Sequence, residues 1–308
     1  MGFEMATNLF SKTHTASKDA QFVVCDAHPD TAHAFYKHFN QKFPGSNVTV
    51  VQTPEQAVLS ASTIVTMLPS SPQVQEVYGR ILPALSSLSS DLTQTTLCID
   101  STTLDVEISR KTALQITAYG TRMVDAPVSG GVTGAHAGTL SFLVGGPEES
   151  FELAKPVLEL MGQRIIHCGV SGAGLGAKIC NNLVLGVEQI VVAEAMLLGQ
   201  KLGLDPAVLA SVINSSTGGC WSSSVNNPVP SALPGKAPPC ERDYEGGFAT
   251  ALMLKDMGLA TDIAEKAKSS LPLGHAARDI YSKVVLEDPE LAKKDFSSVY
   301  KFLKERVI

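Results

Sequence analysis

Two lysines set inside apolar helical patterns are the residues of this 308-residue chain best suited to acid–base chemistry. Lys178 stands in Gly174-Leu-Gly-Ala-Lys-Ile-Cys-Asn-Asn182, four residues before Asn182, so a helix carries both side chains on one face. An ammonium on a mostly apolar helix is costly to bury, and burial lowers its proton affinity toward the range a general acid or base needs. Lys255, in Leu252-Met-Leu-Lys-Asp-Met-Gly-Leu259, repeats the arrangement. Either lysine alone is ordinarily a snorkelling surface residue; two together shift the balance toward a site. A different chemistry is offered by Asp125-Ala-Pro-Val-Ser-Gly-Gly131, which runs on to Gly138. A strand ending in Ser129, Gly130 and Gly131 exposes backbone N–H groups beside a hydroxyl, a setting suited to a carboxylate. The plain alternative is a glycine-rich turn between strands.

Asp26 closes the apolar run Gln21-Phe-Val-Val-Cys-Asp26. At the end of the second strand of a dinucleotide-binding sheet, an acid accepts hydrogen bonds from ribose hydroxyls and repels a 2′-phosphate, which favours NAD over NADP. It serves equally well as a turn or cap. The glycine fingerprint that accompanies such a strand is missing. The chain opens Met1-Gly2-Phe-Glu-Met, like a first helix retaining only the last glycine, so a strand and glycine turn are expected upstream of this Met1. Six scattered cysteines without a CxxC pair read as thiols in a reducing compartment, and seven histidines without an HxxxH or HExxH pair give no metal site.

Elements must position these groups. In the first half, short apolar runs (Gln21–Cys25, Asn47–Val51, Thr63–Leu68, Thr96–Asp100, Arg122–Asp125, and Leu140–Val144 as the last clear strand) alternate with stretches long enough for helices. That rhythm predicts an α/β fold, a Rossmann-like doubly wound sheet of parallel strands lacking its first strand. From Gly174 to Leu202 the pattern is helical and apolar nearly all round, predicting a long helix buried between neighbours. Further helices are expected over 206–214, 250–266, 273–286 and 297–305, and Asp205-Pro206 and Asp288-Pro289 each place Pro at a first helical position after an Asp cap. The expected domains are therefore a dinucleotide-binding unit over 1–171 and an all-helical unit for substrate and oligomerisation over 172–308. With 44% hydrophobic and 18% charged residues the chain is globular. A net charge of −6 argues against a nucleic-acid partner, and Glu188 and Glu194 interrupt the longest apolar run, which argues against a membrane span.

These residues, in this order, resemble the β-hydroxyacid dehydrogenases over nearly the whole chain, from Met1 to about Leu303. Met67-Leu-Pro69 resembles the family's cofactor loop, Asp100-Ser-Thr-Thr103 the strand end beside the nicotinamide, Asp125–Gly138 the substrate signature, and Lys178–Asn182 the catalytic helix. Cys220-Trp-Ser-Ser223, Asn227-Pro-Val-Pro230, Gly246-Gly-Phe248, Lys255-Asp256 and Lys294–Ser298 add to the match. The resemblance implies NAD-dependent oxidation of a small 3-hydroxy acid, 3-hydroxyisobutyrate of valine breakdown being favoured by the Cys220–Pro230 block. It implies Lys178 as the general acid/base, assisted by Asn182, with Ser129, Gly130 and Gly131 on the substrate carboxylate. Gly2, Asp26, Leu68, Pro69, Gln73, Thr103 and Lys255 are implied in cofactor binding. It further implies a homodimer or homotetramer, mitochondrial as in eukaryotic members, or else cytoplasmic.

The 6-phosphogluconate dehydrogenases are set aside because Asn181 stands where they place a histidine, and because they are considerably longer. Tartronate and glyoxylate/succinic semialdehyde reductases, which share the helix pattern, stay open. So does a truncated, non-catalytic relative that serves as an assembly module.

Overall fold

The structure is a computed structural model that describes residues 1–306. It comprises two compact units, Met1–Lys178 and Ile179–Ile308. The division falls after Lys178, inside the long helix (Ala173–Lys201).

The first unit is α/β, as its rhythm predicts. Eight strands are interspersed with helices, only β5 and β6 following each other without one: β1 (Gln21–Val24), β2 (Asn47–Val50), β3 (Thr63–Thr66), β4 (Leu97–Asp100), β5 (Arg122–Asp125), β6 (Val128–Ser129), β7 (Leu140–Gly145) and β8 (Gly162–Gly169). β3, β4 and β5 run parallel in register, and Leu97, Ile99, Val124, Phe142 and Val144 form the core with Phe151 and Leu158 of the covering helix. β1 and β2 form a separate parallel pair whose core is aromatic: Phe10, Phe22, Phe35 and Phe39 stack or meet edge-on.

Three features depart from expectation. Among the described residues β1 pairs only with β2 and β3 only with β4, so the sheet comes in two pieces where a doubly wound sheet is continuous. The sheet is also mixed: β7 runs antiparallel to β5 and β6. β8, parallel to β7, is an additional strand after Leu140–Val144. It carries no period-two apolar alternation, being Gly-Gln-Arg-Ile-Ile-His-Cys-Gly, and depends instead on close approach: a Cβ on Gly162 would lie 2.3 Å from the Leu140 carbonyl oxygen. The first helix runs from Gly2 to Ala16.

The second unit is all helical. Met196 of the long helix (Ala173–Lys201) packs with Met253, Met257, Tyr281, Val284 and Phe296 in one core. Asp205 accepts hydrogen bonds from the Ala207 and Val208 N–H groups, and Asp288 from those of Glu290 and Leu291, with Pro206 and Pro289 at the first helical positions. The long helix is not buried all round. Val184, Val191 and Leu198, seven residues apart, are 55%, 53% and 62% exposed. By length and composition alone it could cross a bilayer, yet Ile190, Ala193 and Met196 are core residues of this unit.

Candidate active site

The C-terminal ends of β3 and β4 are tied together by a buried network. Thr66 Oγ1 donates to Asp100 Oδ1 at 2.9 Å, and Tyr78 OH lies 3.0 Å from Thr66 Oγ1. The Thr102 N–H donates to the same Asp100 oxygen, while the Thr102 hydroxyl accepts from the Leu68 N–H at 2.9 Å. The network fixes the loop bearing Leu68 and Pro69 against the segment bearing Thr103. Burial pushes the Asp100 carboxyl up to about 6, opposed by the hydrogen bonds from Thr102 and Thr66. Its Oδ2 has no hydrogen-bond partner in the protein.

Gly2 belongs to the same neighbourhood: a Cβ there would lie 3.7 Å from Met67 Cβ. It opens the first helix, for which Met1 supplies no side-chain cap, leaving first-turn N–H groups for an anion. Asp26, just beyond β1, accepts the His28 N–H at 2.8 Å, ahead of the Pro29–Lys42 helix. Gln73 accepts from Ser70 Oγ at the start of the Ser71–Ser86 helix. An open helix end with a glycine, and an acid beyond a strand end, are groups of the kinds that suit a dinucleotide's pyrophosphate and ribose.

Ser129 ends β6, and Gly130 and Gly131 follow with φ of +131° and +63°, conformations that favour glycine. They open the Gly131–Ala137 helix, which Gly130 leaves without a side-chain cap. Asn8 of the first helix braces its far end, donating to Ala135 O at 2.7 Å. Lys178, on the second turn of the long helix, is only 9% exposed.

In the second unit, Asn182 donates through Nδ2 to Asp256 Oδ2 at 2.6 Å, and both side chains are buried. A carboxylate only accepts, so it fixes which end of the Asn182 amide faces it and leaves Oδ1 pointing elsewhere. Asn181 Nδ2 reaches that Oδ1 at 3.2 Å. Lys255 Nζ stands 3.3 Å from Asp256 Oδ1, an ion pair without hydrogen-bond alignment. Asp256 thus joins Asn182 and Lys255, residues expected to act separately. Its sequence position beside Lys255 was the only signal for it. Among the described residues no three His, Cys, Asp or Glu side chains gather as a metal site.

Residues 1–169 match the family described as NAD binding domain of 6-phosphogluconate dehydrogenase. Residues 172–303 match that described as NAD-binding of NADP-dependent 3-hydroxyisobutyrate dehydrogenase. The mitochondrial 3-hydroxyisobutyrate dehydrogenase of Bos taurus is 41% identical over 99% of this chain and 84% of its own length. The chain belongs to the 3-hydroxyisobutyrate dehydrogenase family of β-hydroxyacid dehydrogenases. A probable family member from Mycobacterium bovis is 44% identical over 84% of each protein. The solved structure of Mycobacterium tuberculosis 3-hydroxyisobutyrate dehydrogenase with L-serine superposes with a TM-score of 0.86. It is 40% identical and covers 99% of this chain and 96% of its own. As a family member the protein is an enzyme, an NAD-dependent dehydrogenase.

Proposed function

We propose that this protein oxidises 3-hydroxyisobutyrate to methylmalonate semialdehyde with NAD, in the breakdown of valine. The observation that carries the reading is the buried lysine and asparagine four residues apart on one helix, the asparagine amide fixed by Asp256. Ser129 and the N–H groups of Gly130 and Gly131 hold the substrate carboxylate, since two consecutive positive-φ glycines at an uncapped helix start offer donors and no side-chain obstruction. Lys178 Nζ, in its neutral form, takes the proton from the substrate hydroxyl as the C–H electron pair leaves and the carbonyl forms. Asn182 orients that hydroxyl. Bound NAD supplies the hydride acceptor.

Residues 1–171 serve the cofactor, with Gly2, Asp26, Leu68, Pro69, Gln73 and Thr103 as contacts. Residues 172–308 serve substrate and assembly. Initial-rate measurement of NADH formation tests the reading. A kcat/KM for 3-hydroxyisobutyrate no better than for serine or glycerate contradicts it.

The exposed apolar stripe of the long helix, Val184, Val191 and Leu198, supports a homodimer or homotetramer closed over it. The names of the eukaryotic relatives support a mitochondrial location. A protein found only in the cytosolic fraction contradicts it.

A further inference from the structure

Asp125, the last residue of β5, has no part in the chemistry above, yet it is a carboxylate only 3% exposed. Both its oxygens are engaged by the start of the long helix. Oδ1 accepts the Gly172 N–H at 2.6 Å and Oδ2 the Leu175 N–H at 3.0 Å. It therefore caps that helix, satisfying donors that the first turn cannot use internally. The cap comes from 47 residues upstream in the chain, not from the residue that precedes the helix.

Two glycines make room for it. A Cβ on Gly145 would lie 2.5 Å from Asp125 Oδ1, and one on Gly174 would lie 2.9 Å from Oδ2 and 2.1 Å from the Leu143 carbonyl oxygen. Asp125 is also the residue that pairs with Gly145 in the β5–β7 register. Three segments thus close around a single carboxylate: the end of β5, the end of β7, and the first turn of the helix. Each output of this junction leads to a proposed functional group. Four residues along the chain from Asp125 is Ser129, and three residues along the helix from Leu175 is Lys178.

We infer that Asp125 is a positioning residue, which sets the placement of Lys178 relative to the Ser129–Gly131 turn by holding the strand and the helix at a common point. The inference rests on the reading of Lys178 as the base. A displacement of about 1 Å in such a group costs on the order of 100-fold in rate. Asp125→Asn keeps the shape but supplies one acceptor where two helix N–H groups need one each.

The experiment pairs hydrogen exchange with steady-state kinetics. In the wild type, turnover of 3-hydroxyisobutyrate is measured first; its absence overturns the reading of Lys178 and the inference with it. The Gly172 and Leu175 amides should exchange as slowly as those of β7, and rapid exchange there overturns the cap even if the variant fails to fold. In Asp125→Asn, faster exchange confined to residues 170–178 is expected. The expected kinetic change is a kcat lowered about 10- to 100-fold with KM for NAD within about two-fold. Unchanged exchange with kcat within two-fold overturns the inference. Faster exchange throughout the first unit, with a raised KM for NAD, also overturns it, because it shows a general structural role.

Discussion

Asp256→Asn isolates the claim that a buried carboxylate orients the Asn182 amide. The side chains keep their volume, Asn182 and Asp256 being 1% and 2% exposed, and the 2.6 Å contact changes from a charge-assisted hydrogen bond to a neutral one. Hydrogen bonds to charged groups contribute about 1.5–3 kcal/mol and neutral ones about 1. The substitution therefore removes roughly 0.5–2 kcal/mol of preference for the amide orientation that faces Nδ2 to residue 256. That range corresponds to about a 2- to 30-fold loss in kcat/KM for the hydroxy acid. The assay is initial-rate NADH formation with Asn182→Ala, Asp256→Asn and the double variant. If Asp256 acts through Asn182, the double variant is no slower than Asn182→Ala alone. Losses that add, or an Asp256→Asn enzyme within two-fold of wild type, refute the reasoning. KM for NAD monitors the loss of the Lys255–Asp256 ion pair separately.

Other consequences follow from the same geometry. Lys178→Ala removes the proposed base and should abolish turnover with NAD affinity, measured calorimetrically, largely intact; undiminished turnover rejects its role. Asp100, pushed up to about 6 by burial, binds its proton more tightly folded than unfolded, where a carboxyl titrates near ~3.9. That linkage stabilises the fold in full below about pH 4 and is lost as pH rises through about 6. Asp100→Asn keeps an acceptor for Thr66 and Thr102 and cannot ionise, so it should be more stable than wild type at pH 8 by up to roughly 3 kcal/mol. The gap in Tm should close between pH 6 and 4, and a gap independent of pH contradicts the assignment. Val191→Glu with Leu198→Glu places charges on the exposed stripe and should shift the assembly to monomers in light scattering; an unchanged mass excludes that face.

What could be read from the sequence was local. Asp205-Pro206 and Asp288-Pro289 state their helix starts within two residues, and the structure has caps at both. The long helix expected over 174–202 spans Ala173–Lys201 because its periodicity is unbroken. Its exposure was misread, since an apolar composition does not say which face meets other residues. β8 lacked alternation and owes its place to contact with β7. The contacts around the proposed site are long-range: Thr66 to Asp100 spans 34 residues and Asn182 to Asp256 spans 74. A carboxylate beside a lysine carries no local mark of the amide it holds.

The most direct test of the account is the ratio of kcat/KM for 3-hydroxyisobutyrate to that for L-serine and glycerate, measured with NAD under one set of conditions. A clear preference for 3-hydroxyisobutyrate that disappears in Lys178→Ala is the predicted result. Equal or better rates with serine or glycerate, or turnover that survives the lysine's removal, contradicts it.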